Sequence, residues 1–378
     1  MKVYIKRTIS IISIIAIVIL YILVSENLFL YRESDSQARF DGFYLEDKNT
    51  LDVVLIGSSE VYNDFSSAIA YDKFGFTSYP IGTPAQNGIF IKYQMKEVLQ
   101  YQNPKLFIVE VNGFLGDDSI SDSQIRNVCE NIRLSDNKVS LLSSLNCCDD
   151  VYTYYLPFFK YHNDINVGTC IYNCNNRMNQ FGLGYSLLKG NYTGTYSWQI
   201  DKEVGLEDST IKVELTERNK DDLIDLLDFC KQNNLNVLFV RFPRIQTSRT
   251  AETLGRSNAI EDIISTYGYD YLNFVSKIDC SEVLNRSDFY NSEHLNIEGQ
   301  EKFTLFFGNV LYQKYGIKRT NLNEEQKNKW NNSVIYTRKF YSLANKKLLE
   351  NSDNVEKYLY EDIKTMDELN YLEVRKLQ

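Results

Sequence analysis

Three apolar runs near the start of the chain constrain its fold more than any other feature. Val53 to Ile56, "FTSYPIG" (Phe76 to Gly82) and "PKLFIVEVNG" (Pro104 to Gly113) are each short and end in turn residues. A strand buried on both faces reads as such a continuous run, and successive parallel strands need a helical crossover between them. The stretch "NGIFIKYQMKEVLQY" supplies one, with Ile91, Met95, Val98 and Leu99 on one helical face. The rhythm resumes with Leu223, Leu226, Leu227 and Cys230 on a helix before a strand from Leu235 to Phe242. A further helix (Ile260, Ile263, Ile264), the strand "YDYLNF" and a closing helix that stops at Gly316 complete it. This alternation predicts a flavodoxin-like three-layer α/β/α domain over residues 51–316, with a five-stranded parallel sheet of order 2-1-3-4-5.

Between about 114 and 218 the alternation lapses into tyrosine, asparagine and cysteine, which reads as an insertion. Residues 27–50 read as a polar linker, and 317–378 as a charged helical tail in which Trp330, Ile335, Phe340 and Leu343 can pack on the core. Ahead of the linker, Thr8 to Val24 carries no charge, close to the shortest length that spans a bilayer. Lys2, Lys6 and Arg7 precede it, and Glu26, Glu33 and Asp35 follow with only Arg32 among them. That asymmetry predicts a cytoplasmic tip and uncleaved anchor over 1–26, with the body extracytoplasmic. Leu23-Val24-Ser25 lacks the small-x-small pattern of a signal-peptidase site.

A net charge of −9 without a long basic stripe argues against a nucleic-acid partner. Of the seven cysteines, Cys147, Cys148, Cys170 and Cys174 crowd one region near His162, but their spacing lacks the two-pair pattern of zinc sites. Disulfides or inert thiols are expected there, with no metal and no cofactor.

The first strand ends in Gly57-Ser58-Ser59, at the sheet edge where open parallel sheets place their functional crevices. A serine there is a nucleophile only if a base reaches it. The chain has two histidines, and His294, in the loop before the closing helix, is brought to the same edge. His162 lies in the insertion and reads as structural.

In their order, "LIGSSEVYN", "YPIG" and "NSEHLNIEGQEKF" resemble the SGNH (GDSL-type) hydrolase superfamily. The similarity covers roughly 50–114 and 218–316. Within it the chain looks like membrane-anchored members similar to the D-alanyl transfer protein of teichoic acid synthesis and to the acetyl-transfer proteins of exopolysaccharide export. "KYH" and Trp330 also look similar to such proteins. The resemblance implies that Ser59 is the nucleophile, with Gly57 permitting the sharp turn and Ser58 where the "GDS" form has aspartate. It implies that Gly82 lends an oxyanion-hole donor, together with Asn112 or, as a competing candidate, Asn87. The family's Asp-x-x-His block departs here, because Asn291 stands in the acid position. Asp288, three residues further back, could supply the acid if the loop bends, whereas Glu293 would point away.

The expected function is a serine-dependent acyl-ester enzyme, an esterase or O-acyltransferase, acting on acylated cell-envelope or exported glycans. The membrane and a membrane-bound O-acyltransferase are expected partners. The alternative is a catalytically retired module that binds a glycan or a partner.

Overall fold

The computed structural model describes residues 2–26, 35–145, 150–164, 167–192, 194, 210–248, 253–319 and 321–350. Helix α1 (Lys2–Val24) and α2 (Asp35–Leu45) precede β1 (Val53–Gly57), which leads through α3 (Glu60–Asn63) and α4 (Ser67–Phe74) to β2 (Ser78–Gly82). Helix α5 (Ile89–Leu99) returns the chain to β3 (Leu106–Glu110). The insertion carries α6 (Asp122–Cys129), α7 (Asp136–Ser144), α8 (Tyr152–Tyr155), α9 (Phe158–Tyr161) and α10 (Val167–Leu183). After it come α11 (Glu217–Gln232), β4 (Val237–Arg241), α12 (Leu254–Thr266), β5 (Asp270–Asn273), α13 (Ile297–Gln313) and α14 (Glu324–Glu350).

The strands form one five-stranded parallel sheet in the order β2-β1-β3-β4-β5, as the sequence predicts. Alternation along β1 divides the core into two layers. Val54 and Ile56 join Ile91, Met95, Leu223, Leu227 and Ile260 on one face, while Val53 and Leu55 join Val240, Phe303, Phe307 and Leu311 on the other. A one-residue slip would exchange these sets, so burial on both faces fixes the register. That register sets Gly57 level with Gly82, at the carboxyl ends of the two strands.

Both glycines are required by close approach. A Cβ on Gly57 would lie 2.5 Å from Glu110 Cβ, and one on Gly82 would lie 2.7 Å from the Ser58 carbonyl oxygen. The chain therefore passes tightly under Ser58 and Ser59, and larger residues would push the turn away.

Three features differ from the sequence reading. The stretch read as linker contains α2, because Phe40 and Phe43, three apart, both bury against the sheet layer. In the tail, Trp330 and Phe340 are buried but Ile335 is 46% exposed, since only one stripe of α14 faces the body. Leu343 lies among side chains outside the described residues. The insertion, for which the sequence reading gives no elements, folds into helices, of which α10 runs for 17 residues, and its aromatic-rich sequence masks their period. Helix α1 is long and apolar enough to cross a membrane, and none of its residues from Tyr4 to Val24 is buried in the rest of the chain.

Candidate active site

Ser59 caps α3, with its backbone in the ordinary right-handed helical region. Its carbonyl accepts from the Asn63 N–H at 3.0 Å and from Asn63 Nδ2 at 2.8 Å, which holds the turn after β1. Among the described residues the Ser59 backbone N–H has no partner. Its Oγ lies 2.6 Å from His294 Nε2, across a sequence separation of 235 residues.

His294 is positioned by a tight loop in which Phe289 and Leu295 form an antiparallel bridge. The His294 carbonyl accepts from the Tyr290 N–H at 2.8 Å, and the Leu295 N–H donates to Asp64 Oδ1 at 2.9 Å. Helix α13 follows, capped by Asn296, whose side chain accepts from the Gly299 N–H.

Hydrogen bonding fixes the orientation of the Asn291 amide. Asn291 Oδ1 accepts from the backbone N–H groups of Glu293 (2.9 Å) and His294 (3.0 Å), so this atom of the amide is the oxygen. The same oxygen lies 3.0 Å from His294 Nδ1, which must then carry the ring proton. Nε2 is left with its lone pair toward Ser59 Oγ–H. Burial lowers the His294 pKa to about 4, with Arg244 pushing the same way and Glu293 opposing. The imidazole is neutral at neutral pH.

Asp288 does not reach His294. Its Oδ1 pairs with Lys302 Nζ at 2.6 Å and its Oδ2 accepts from the Asn285 N–H at 2.8 Å, so it anchors the start of the loop to α13. The bend that would swing it to the ring is blocked because its backbone packs on α13, where a Cβ at Gly299 would meet the Asp288 carbonyl oxygen at 2.1 Å. Glu293 turns toward Arg244, 3.7 Å away.

The candidate oxyanion donors lie on adjoining loops. The Asn112 N–H donates to Glu110 Oε1 at 2.6 Å, and its Nδ2 donates to Glu60 Oε2 at 2.9 Å. Asn87 Oδ1 accepts from the Ile89 N–H, and its loop abuts that of Asn112 through the 2.9 Å bond from the Gly88 N–H to the Gly113 carbonyl. The Gly82 carbonyl accepts from Arg39 Nη1 at 2.9 Å.

Sequence reasoning missed the charged support beneath this turn. Glu110 Oε2 accepts from the Ser58 N–H at 2.8 Å, and Glu60, directly after Ser59, pairs with Arg244 Nε. Glu60, Asp64 and Glu110 are all 0% exposed. Burial drives the Glu60 carboxyl well above the ordinary value against the pull of Arg244, and does the same to Asp64 against the Leu295 N–H. The signal available was a glutamate closing the otherwise apolar "LFIVE", which a strand end tolerates only with partners. Beside the loop, a cleft of about 470 Å³ is lined by Arg244, Phe274, Phe289 and neighbours, though not by Ser59 or His294.

His162 lies apart from this site, exposed, with Nδ1 3.1 Å from the Phe159 carbonyl. Cys129, Cys170, Cys174, Cys230 and Cys280 are not joined in disulfides, and Cys147 and Cys148 fall outside the described residues. Among the described residues no cluster of histidine, cysteine or carboxylate side chains could hold a metal.

No family model matches the chain, and no curated protein does. Solved structures do. A Bacteroides fragilis protein provisionally assigned as an acylhydrolase is 10% identical, covering 75% of this chain and 99% of its own, at a TM-score of 0.35. A family two carbohydrate esterase from Clostridium thermocellum is 10% identical over 72% of this chain and 66% of its own, at a TM-score of 0.29. An acetyl xylan esterase from the rumen bacterium Butyrivibrio proteoclasticus is 11% identical over 71% and 65%, at a TM-score of 0.28. Overlaps this loose carry no argument about chemistry, which rests on the geometry of the site.

Proposed function

We propose that the chain is a membrane-anchored, extracytoplasmic serine enzyme that cleaves or transfers acyl esters. The observation that carries this reading is the 2.6 Å contact between Ser59 Oγ and a His294 nitrogen whose lone pair is fixed by Asn291. A hydroxyl facing a neutral, correctly oriented imidazole is the minimal arrangement for nucleophilic acyl chemistry.

In this reading Ser59 Oγ attacks the acyl carbonyl carbon as its proton passes to His294 Nε2. The oxyanion is received by the unpartnered Ser59 N–H, with the Gly82 N–H and the second Nδ2 hydrogen of Asn112 as further donors. Collapse expels the alkoxide, which takes the proton from Nε2 and leaves the acyl group on Ser59. Water then gives hydrolysis, and a sugar hydroxyl gives transfer. Asn291 accepts the Nδ1 proton throughout but adds no negative charge to offset the imidazolium.

An acylated envelope or exported glycan as substrate, and a membrane-bound O-acyltransferase as acyl source, are supported by the motif resemblance and by α1, which would hold the site at a membrane. The full chain, purified in detergent, should form a covalent acetyl adduct on Ser59 when given p-nitrophenyl acetate, visible by intact mass and peptide mapping. Ser59→Ala should abolish it. A chain that neither acylates nor turns over the ester would instead be the retired binding module.

A further inference from the structure

Helix α1 ends against the insertion. The Tyr21 ring meets the Phe158 ring edge-on, with centroids 6.1 Å apart, and the Phe158 N–H donates to Glu26 Oε1 at 3.1 Å. Tyr21 stands three residues before the end of the apolar run at Val24. If α1 spans a bilayer, Tyr21 sits at the outer hydrocarbon boundary, so whatever touches it lies at that height.

The surface there has the chemistry of that layer. Phe159 follows Phe158, is 44% exposed, and packs edge-on with Tyr152, which is 52% exposed. Leu156, between α8 and α9, is 36% exposed, and Val151 is 39% exposed. Lys160 is exposed beside them, a cation suited to lipid phosphate. Aromatic and aliphatic side chains with a basic residue are the composition of a segment lying in the headgroup region.

We propose that α8 and α9 dock on the outer face of the bilayer, with Tyr152, Leu156 and Phe159 inserted at the interface. This holds the catalytic domain at a fixed height rather than on a loose tether. A lipid surface is favoured over a second copy because the patch is continuous with α1, whose own exposed side chains require lipid. The inference rests on the membrane-anchor part of the proposed function.

The test uses the full chain in phosphatidylcholine–phosphatidylglycerol vesicles carrying lipids brominated either near the headgroup end or near the tail end of the acyl chain. Phe159→Trp and, independently, Tyr152→Trp are compared with the unsubstituted protein, and Ile15→Trp reports on α1. Emission added at Phe159 and Tyr152 should be quenched mainly by the shallow bromines and shielded from aqueous acrylamide. Emission added at Ile15 should be quenched by the deep bromines. If Ile15→Trp is quenched while both interface tryptophans respond only to acrylamide, docking is overturned and the anchor stands. Interface tryptophans shielded from both quenchers are covered by protein, which also overturns it. If Ile15→Trp is not quenched by lipid, the anchor reading fails and docking fails with it.

Discussion

Asn291 Oδ1 lies 3.0 Å from His294 Nδ1 and also accepts the backbone N–H groups of Glu293 and His294. In the proposed mechanism an amide placed this way does part of an acid's work. It selects the productive tautomer and holds the ring, but carries no charge to balance the imidazolium. Replacing a triad aspartate by asparagine in another serine hydrolase costs about 10,000-fold, largely through the wrong tautomer. Here the tautomer is already right, so restoring the charge should recover less.

Asn291→Asp preserves both backbone acceptor contacts and adds a carboxylate at the ring. Turnover of p-nitrophenyl acetate should rise about 10- to 100-fold, corresponding to about 1.4 to 2.7 kcal/mol of transition-state stabilisation. An unchanged or lower rate in a folded variant would show that the site does not pass through an imidazolium.

The pH profile follows from the same ring. With the His294 pKa lowered to about 4 by burial, kcat/KM should rise with pH through about 4 and then be flat to neutrality. The negative charge in Asn291→Asp favours the protonated ring and should move the acidic limb upward. A wild-type limb near about 6.5, the ordinary histidine value, would contradict the buried, neutral base.

Asp288→Asn separates position from role. Since Asp288 bonds Lys302 and the Asn285 N–H rather than the histidine, turnover per folded molecule should stay near that of the wild type. Thermal unfolding should move to lower temperature as the charge-assisted contact weakens. A large loss of kcat at unchanged stability would return Asp288 to the acid role.

The sheet order and the meeting of Ser59 with His294 were legible in the sequence, for identifiable reasons. Val53 to Ile56 is buried on both faces, so its apolar run announced a central parallel strand, and the residues after it had to lie at the carboxyl edge. The short search for a base followed from there being two histidines. The choice between Asp288 and Asn291 was not legible, because it depends on the bend from Phe289 to Leu295 and on the packing of Asp288 against Gly299. Helix α2 was hidden because Phe40 and Phe43 are embedded in a polar stretch. The Arg244–Glu60 pair links positions 184 residues apart, and no local pattern reports such a contact.

Glu60→Gln tests that pair. Arg244, with its side chain 10% exposed, would keep only Glu293, 3.7 Å away, as a near counter-ion, and weakening a buried pair in this way should cost up to about 3 kcal/mol, the low end of breaking one outright. Chemical denaturation should show a loss of that order, and labelling of Ser59 should slow because Asn112 and Arg244 are both held by Glu60. Stability within error of the wild type would remove Glu60 from the support of the turn.

A Ser59 activated by His294 should react with an electrophile built for such serines. Treating the full chain with a fluorophosphonate and mapping the adduct tests it most directly. Modification should be stoichiometric at Ser59, absent in Ser59→Ala and strongly slowed in His294→Ala. Labelling that persists unchanged in Ser59→Ala, or a folded wild-type chain that takes no label, would contradict it.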